Sequence, residues 1–377
     1  MMRTRLIQWI SAGSFVVLTM SAGLALADVD LKHLPLGDGH LSTQPKVGYI
    51  WPCHVEADAG GAFRDGPWIH SDGTYDFTAK AVVSGNESWP NRFTMSREGD
   101  QRVFSTNDLP NHGTGHFPIS ADDEAYRYDR NPNRIREQTV RVALPANPEL
   151  ESAASCAPGA VGILLTGSVL FSALDAPGRD AVAHETQDHC QGHPQQSGVY
   201  HYHSLSTCLP EQRLADGHSA LVGYALDGFG LYGRYGENGK ALSSADLDEC
   251  HGHTHRIIWD GKPVTMYHYH ATWDFPYTVG CLRGHYNRED VRALSGPRPT
   301  QGPGDSEGGP RGGRDEGDRG EERGPRHRPD LAVAARKLGI SESRLREALG
   351  PPPPDLEVSA QRLGISVQTL RDALGVP

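Results

Sequence analysis

Short apolar segments separated by Gly, Pro, Asn and Asp make up the chain from Gly48 to about Tyr286. Almost none of this range has the 3.6-residue period of an amphipathic helix, and short runs bounded by turn residues are typical of β-strands. The clearest strand-like segments are 134–144, 162–170, 221–235 and 256–270. We therefore predict a mainly β body, sandwich-like or irregular. One short helical turn is expected at 244–250, where Ser and Asp favour a helix cap.

The N-terminus has the pattern of a secretory signal. Two arginines precede an apolar run from Leu6 to Leu26, which ends in the small-residue motif Ala25-Leu26-Ala27. We predict a signal peptide at residues 1–27, a mature protein that is periplasmic or secreted, and a β body at 28–295. The alternative is an uncleaved anchor, which the cleavage motif and the acidic residues just after it disfavour. No other run approaches the ~20 apolar residues of a membrane span.

The C-terminal part differs in composition from the body. Residues 296–329 contain seven Arg and seven acidic residues among Gly and Pro, which predicts a disordered linker. Residues 330–377 hold a repeat with a 25-residue offset, 330–350 and 355–375, and each copy predicts a short helical hairpin with a Gly in its middle. The hairpins resemble the helix-turn-helix of DNA-binding regulators. Their balanced charges favour packing or an unknown protein partner instead.

The net charge narrows the classes of partner. The chain has 377 residues, with 36 Lys and Arg against 47 Asp and Glu, a formal charge of -11. Residues 296–377 are neutral, with 13 basic and 13 acidic residues, so the β body carries the whole negative charge. An acidic body repels phosphate backbones and attracts cations. Nucleic acid is therefore excluded as a partner.

Histidine is concentrated in a duplicated frame. Twelve of the 19 histidines lie between His184 and His285. One copy reads Asp188-His-Cys-Gln-Gly-His193, then Tyr200-His-Tyr-His203 and Cys208. The other reads Asp248-Glu-Cys-His-Gly-His253, then Tyr267-His-Tyr-His270 and Cys281. Recurrence of the same residues in the same order argues against chance.

The frame predicts a transition-metal site. Side chains alternate along a strand, so the two histidines of each tetrad point to one face and the tyrosines to the other. Imidazole nitrogen favours copper or zinc. If the tetrads lie on neighbouring strands, their histidines share one pocket, and this is the arrangement we predict; two separate sites are the fallback. The alternative is a half-buried strand with structural, hydrogen-bonded histidines. The candidate ligands are His193, His201, His203, His253, His268 and His270. The candidate residues behind them are Asp188, Asp227, Asp248 and Glu185.

Six cysteines, an even number in an exported chain, predict disulfides. The repeat suggests one pair within each copy, Cys190 with Cys208 and Cys250 with Cys281, which leaves Cys53 with Cys156. Six cysteines allow 15 pairings, so this choice rests on symmetry. The alternative is a zinc site built from Cys190-x-x-His193 and Cys250-x-x-His253.

The chain resembles the YHYH-domain proteins, exported bacterial proteins named for the tetrad. The resemblance covers roughly residues 45–285. It rests on both tetrads and on the following segments: Asn111-His-Gly-Thr-Gly-His-Phe-Pro118, Asn131-Pro-Asn133, Glu137-Gln138, Cys190-Gln-Gly-His193, the segment 223–233, Ala245-Asp-Leu-Asp-Glu-Cys250, Phe275-Pro-Tyr277 and Cys281. The family brings no established activity. The linker and the hairpins lie outside the resemblance.

Three functions remain open from the sequence. The first is an extracytoplasmic metal-binding protein, and the second is a metalloenzyme with an open coordination position. The third is a structural or adhesive envelope module. Asp227-Gly-Phe-Gly230 looks like a kinase motif in isolation, but the chain has no accompanying phosphate loop, so we interpret it as a turn. His184-Glu185 and Asp188-His189 are candidates for an acid and base beside a metal, although nothing in their spacing demands it.

Overall fold

The computed structural model describes residues 29–55, 61–296, 331–340, 342–349 and 356–374. The predicted signal peptide and the predicted linker, apart from Gly296, lie outside the described residues. The strands are β1 (Leu34–Pro35), β2 (Thr74–Tyr75), β3 (Phe93–Glu98), β4 (Gln101–Thr106), β5 (Val140–Pro145), β6 (Leu150–Ser155), β7 (Ala160–Leu164), β8 (Val169–Phe171), β9 (Gly192–Pro194), β10 (Tyr200–Tyr202), β11 (Leu221–Ala225), β12 (Gly230–Tyr232), β13 (Gly252–Trp259), β14 (Lys262–His270) and β15 (Leu282–Gly284). The helices are α1 (Ala181–His184), α2 (Arg288–Leu294), α3 (Leu331–Leu338), α4 (Glu342–Leu349), α5 (Leu356–Leu363) and α6 (Val367–Leu374).

The body is mainly β, as its pattern predicts, and is built around an eight-stranded mixed sheet. The strand order is β13-β14-β12-β11-β7-β8-β10-β9. The antiparallel pair β7–β11 lies at its centre. Strands β8, β10 and β9 follow on one side, and strands β12, β14 and β13 follow on the other. On both sides the successive strand pairings are antiparallel, parallel and antiparallel. The two halves of the sheet are therefore copies of one four-stranded unit. The repeat read from the sequence is a repeat of structure.

A second sheet packs against the central one. Strands β3, β4 and β5 form an antiparallel sheet. The fully buried Phe104 of β4 contacts Tyr224 of β11, with ring centroids 5.3 Å apart. The Arg102 guanidinium lies over the rings of Tyr224 and Trp259. One continuous hydrophobic core joins both sheets, so residues 29–55 and 61–296 bury their apolar side chains as a single unit.

Several predicted strand segments are hairpins or strand pairs. The segment 162–170 covers β7 and the start of β8, 221–235 covers β11 and β12, and 256–270 covers most of β13 and β14. Glycine or aspartate makes each turn. The predicted helical turn at 244–250 is shorter than expected, a single 3-10 turn at Ser244–Asp246. The Asp246 carboxylate caps it by accepting hydrogen bonds from the backbone and hydroxyl of Ser243.

Three disulfides join the pairs that the repeat suggests. Cys190 bonds to Cys208, Cys250 to Cys281 and Cys53 to Cys156, and no described residue is a free cysteine. The alternative zinc site with Cys190 and Cys250 as ligands is therefore wrong, because a sulfur held in a disulfide is not a thiolate. Each half of the sheet has its own bridge.

The C-terminal repeat forms four eight-residue helices with their own core. Helix α3 packs against α4 and α6, and α5 packs against α4 and α6. Their buried side chains make a cluster separate from that of the body: Ala334, Ala335, Leu345, Leu349, Ala360, Leu370, Ala373 and Leu374. Isolated helices of this length are unstable in water. Mutual packing of the two hairpins stabilises them.

Within the described residues, no helix has the length and apolar character needed to cross a membrane.

Candidate metal centres

The two tetrads lie far apart in the central sheet. Strands β12, β11, β7 and β8 separate β14 from β10. Five steps at an interstrand spacing of ~4.8 Å place the tetrads roughly 24 Å apart. The prediction of one shared pocket for His201, His203, His268 and His270 is therefore wrong. The repeated units are related through their β7 and β11 strands, so the tetrads diverge from the centre of the sheet and do not meet.

Each half instead builds its own histidine cluster. The first cluster contains His193, His201 and His203, and the second contains His218, His253, His268 and His270. In each cluster the ring nitrogens lie within 4.8 Å of one another. All six predicted histidines are thus used, three in each half. Both clusters have the geometry of a site that could hold a metal ion.

Strand pairing explains how the first cluster assembles. His193 on β9 lies directly opposite His201 on β10, and directly opposed residues share a face of the sheet. His203 follows two residues later on that face. The Nε2 atom of His203 lies 3.2 Å from that of His201 and 3.2 Å from that of His193. His203 is therefore the centre of the cluster.

Glu185 adds a carboxylate to the first cluster. It follows α1, and its Oε2 lies 3.4 Å from His193 Nε2 and 3.3 Å from His203 Nε2. This oxygen is buried and has no hydrogen-bond partner of good geometry among the described residues. The sequence predicts that Glu185 lies behind the ligands. The structure places it in direct contact with them.

The second cluster has the same plan with a different fourth member. His253 on β13 lies directly opposite His268 on β14. His268 Nε2 lies 3.1 Å from His253 Nε2 and 3.2 Å from His218 Nε2. The Nε2 of His270 is buried and has no hydrogen-bond partner. Four imidazoles surround one point.

His218 is the residue that the sequence analysis missed. It precedes β11, outside the duplicated frame, and Ala157 stands near the corresponding place of the first half. Conversely, Ala245 stands where the first half has Glu185. No spacing rule connects His218 to a tetrad 50 residues later. Only the pairing of β11, β12 and β14 brings the two together.

Backbone carbonyls orient the rings in both halves. His203 Nδ1 donates to Ser172 O at 2.5 Å, and His270 Nδ1 donates to Gly233 O at 2.7 Å. Three further histidines use nearby carbonyls in the same way, namely His201 with Val199 O, His268 with Met266 O and His218 with Ser219 O. A carbonyl oxygen only accepts, so in each of these rings Nδ1 carries the proton. The Nε2 lone pairs therefore face into the clusters.

Burial keeps the imidazoles neutral. Burial and the neighbouring imidazoles lower the pKa of His193 and His201 well below the ordinary value. The same two causes lower the pKa of His268 and His270 well below it. A proton shared between two rings is therefore disfavoured. These four rings therefore present unprotonated nitrogens at neutral pH.

The tyrosines of the tetrads occupy the opposite face, and three of the four hydrogen-bond to aspartates. Tyr200 and Tyr267 donate to Asp188 and Asp248 at 2.8 and 2.9 Å, and Tyr269 donates to Asp227 at 2.6 Å. The sequence makes Asp188 and Asp248 candidates to ligate or orient a histidine ring. The structure gives both a different role, because their hydrogen bonds go to tyrosine hydroxyls and backbone amides.

Asp188 and Asp248 hold the turn that precedes the first histidine of each cluster. Asp188 Oδ1 accepts from the backbone amides of Cys190 and Gly192, and Asp248 makes the equivalent two bonds. A side chain on Gly192 would collide with Tyr200, since a Cβ there would lie 2.2 Å from the ring. The Cys-x-Gly-His motif is thus a packing requirement that fixes where the histidine begins its strand.

The other candidates lie outside the clusters. His184 is buried and hydrogen-bonds to Asp38 and Asp65, and His189 is exposed. The sequence leaves two roles for Asp227, which are to cap the turn between β11 and β12 or to face the histidine cluster. Its carboxylate accepts from the Phe229 and Gly284 amides, so it caps the turn. Neither His184 nor His189 is a member of the two histidine clusters.

The fold and the site together define a mainly β, disulfide-bonded protein made of two similar units, each with a buried histidine cluster. Residues 141–243 match the family model described as YHYH protein, so the chain contains a YHYH domain, as its motifs indicated. The match includes the first tetrad and His218 and ends before the second tetrad. No curated protein and no solved structure matches the chain.

Proposed function

We propose that the protein is an extracytoplasmic metal-binding protein that holds two copper or zinc ions, one in each half of the duplicated sheet. The first site uses His193, His201, His203 and Glu185, and the second uses His218, His253, His268 and His270. The signal sequence and the disulfides support an oxidising compartment. The acidic body favours cation binding.

One observation carries the proposal: within each cluster, the lone pairs of imidazole Nε2 atoms face one another. His201 and His203 both have Nδ1 on a carbonyl, yet their Nε2 atoms lie 3.2 Å apart. His218 and His268 repeat this arrangement at 3.2 Å. Two unprotonated nitrogens cannot hydrogen-bond to each other, and only a cation between them makes the contact favourable. Burial disfavours the proton, which leaves a metal ion.

The spacing of the nitrogens fits a tetrahedral ion. Ligand nitrogens at ~2.0–2.1 Å from zinc lie about 3.3 Å from one another. The closest contacts in the clusters are 3.1 and 3.2 Å. Imidazole is a favoured ligand of both zinc and copper, and copper binds more tightly than zinc to a given nitrogen site. Carbonyl partners behind the rings are the usual outer support of a metal-binding histidine.

The metalloenzyme remains the second candidate, and one observation favours it. Glu185 lies at the edge of the first cluster, 3.3 Å from the nearest imidazole nitrogen, with an oxygen free to accept a proton. If Glu185 does not bind the ion, three histidines leave an open position with a carboxylate beside it, the arrangement of a catalytic zinc site.

Elemental analysis of the untagged protein, purified from its own export compartment, tests the proposal. We expect two ions per chain in the wild type and one in each of two variants, His203→Ala and His268→Ala, because each removes the central ligand of one cluster. His116→Ala is the matched control, since His116 is exposed and lies 3.6 Å from Glu87 on the surface. Wild-type protein that contains no metal and takes up none would exclude both metal functions and leave the structural module.

Glu185→Gln separates the two candidates. Loss of metal affinity in the first site alone indicates that the carboxylate is a ligand. Full retention of metal together with a metal-dependent hydrolytic activity that Gln abolishes would favour the enzyme.

A further inference from the structure

The two clusters differ in their exposure to solvent. In the first, His193, His201 and His203 are 3–4% exposed and Glu185 is 9% exposed. In the second, His253 is only partly buried. A cavity of about 250 Å³ adjoins the second cluster, and His218 lines it together with Asp216, Ile257 and Pro263. Since His218, His268 and His270 are 0–1% exposed, His253 is the member of the second cluster that lies nearest to solvent.

An additional histidine lies beside His253 and His218. His255 is two residues after His253 on β13, so it points to the same face. Its ring centroid lies 6.0 Å from that of His218, with nearly parallel planes, and 6.1 Å from that of His253. It is too far to belong to the cluster, yet it neighbours two of the four members. About a third of its side chain is exposed.

The carboxylate of Glu237 lies next to the imidazole of His255. The Glu237 Oε1 atom lies 2.9 Å from His255 Nδ1, and its side chain is also about one-third exposed. Carboxylate oxygen and imidazole nitrogen are both ligands of zinc, so the two side chains offer two ligating groups. The pair thus places a carboxylate and an imidazole at the solvent side of the second cluster.

The first half has no equivalent of this pair. Gln195 occupies the position of His255, two residues after His193. Its amide donates to Ser197 Oγ and to the carbonyl of Ser295, at the end of α2. The β9–β10 hairpin is also much shorter than β13–β14. The two halves therefore share a ligand plan and differ in what surrounds its outer edge.

We propose that His255 and Glu237 form an entry and exit station through which the second cluster exchanges its metal ion, whereas the first cluster retains its ion. The inference rests on the proposed function. Each exchange step replaces one metal–nitrogen bond by another: His255 Nε2 binds the ion as His253 or His218 releases it, and the released nitrogen regains its free lone pair. The ion keeps its charge, and no other reactant is needed.

Isotope exchange in the full mature chain tests this. Protein loaded with natural zinc is first assayed for stoichiometry, and two ions per chain establish the proposed function independently. Excess isotopically enriched zinc is then added, and isotope ratios in the protein are followed over time. We expect two equal populations, one that exchanges quickly and one that exchanges slowly. The His268→Ala variant should lose the fast population, and His203→Ala the slow one.

The station itself is tested by two conservative variants. His255→Gln installs the residue of the first hairpin, and Glu237→Gln removes only the charge. Each should slow the fast population about tenfold, the scale typical of residues that support metal ligands, while two ions per chain remain bound. His116→Ala, which disrupts another exposed His–Glu pair, should leave both rates unchanged.

Two results would overturn the station. One is equal exchange rates for both sites in a wild type that binds two ions. The other is a fast rate that His255→Gln leaves unaltered, or a loss of one ion from that variant, which would make His255 a ligand. A wild type without metal contradicts the proposed function instead, so the two failures are distinguishable.

Discussion

Five of the seven cluster histidines use one ring nitrogen for a backbone carbonyl and turn the other into the cluster. The outer nitrogen is fixed by a backbone carbonyl, as for His203 with Ser172 O and His270 with Gly233 O. The inner nitrogen faces other inner nitrogens. Aromatic rings support the arrangement, since Phe171 stacks on His201 at 4.0 Å and Tyr232 packs on His268 at 4.9 Å. Removing the outer carbonyl contact would free the ring, so the orientation of the lone pairs depends on the backbone.

This arrangement predicts that the metal-free protein loses stability in mild acid. Burial lowers the pKa of His201 and His268 in the folded chain, whereas in the unfolded chain they titrate near ~6.5. Below that pH the unfolded state binds more protons than the native state, so the free energy of unfolding falls as the pH falls. Each such histidine contributes about 1.4 kcal/mol per pH unit. Urea unfolding of chelator-treated protein between pH 8 and 5 measures this slope.

His201→Asn provides the comparison for that slope. The variant has one titrating group fewer, so its stability should depend less steeply on pH whatever its stability at pH 8. His116→Asn, at an exposed position, should keep the wild-type slope. A slope that is the same in all three proteins would show that the buried histidines do not resist protonation.

At the scale of the element, two repeated devices place the ligands. The first is the aspartate that accepts hydrogen bonds from the Cys-x-Gly-His turn, and the second is the disulfide formed by the cysteine of this turn. Strand register then fixes which histidine lies opposite which. The fourth ligand comes from outside these devices, from the residue after α1 in one half and from the segment before β11 in the other. That freedom explains why the fourth members differ while the first three match.

The aspartate turn predicts a site-specific loss of affinity. Asp188 accepts four hydrogen bonds, from the Cys190, Gly192 and Gly115 amides and the Tyr200 hydroxyl. Asp188→Asn places an NH₂ group against donors, so the turn shifts and His193 moves with it. We expect metal affinity to fall 10–100-fold in the first site only. Chelator competition measures it, and Asp248→Asn should affect only the second site. Equal effects of Asp188→Asn on both sites would contradict this placement.

We expect one disulfide to matter most for stability and another to matter most for metal binding. The Cys53–Cys156 bridge closes 103 residues and Cys190–Cys208 only 18. Because a longer closed loop restricts the unfolded chain more, removal of Cys53–Cys156 should lower the free energy of unfolding by about 4.7 kcal/mol, and removal of Cys190–Cys208 by about 3 kcal/mol. Metal affinity should fall more on removal of Cys190–Cys208, because Cys190 lies in the turn before His193. Paired Cys→Ser variants, compared by urea unfolding and chelator competition, check both orders. Loss of metal on removal of Cys53–Cys156 alone would contradict the assignment.

At the scale of the molecule, duplication gives one sheet with two separate sites. The copies join edge to edge through β7 and β11, so their cores merge while their clusters stay apart. The body ends at α2, where the Ser295 carbonyl accepts from Gln195 and Ser197. The four C-terminal helices have a separate core. The domain boundary near residue 295 remains a prediction.

Truncation tests that boundary. A chain that ends at Gly296 keeps the Ser295 contacts and loses the four C-terminal helices. It should retain the unfolding midpoint of the body and both metal ions, because the body buries its own apolar core. Thermal unfolding and elemental analysis of the two chains make the comparison. Aggregation of the truncated chain or loss of an ion would place the helices within the metal-binding unit.

Local sequence patterns determine part of the fold and part of the two clusters. The mainly β body, the C-terminal helical repeat, the pairing of six cysteines and six of the cluster histidines follow from periodicity, turn residues and the repeated frame, because each depends on neighbours in the chain. The number of sites, the role of Asp188 and Asp248, the contact of Glu185 and the membership of His218 depend on which strands lie side by side. A tetrad has the same sequence beside its copy or four strands away, so sheet order alone decided between one site and two.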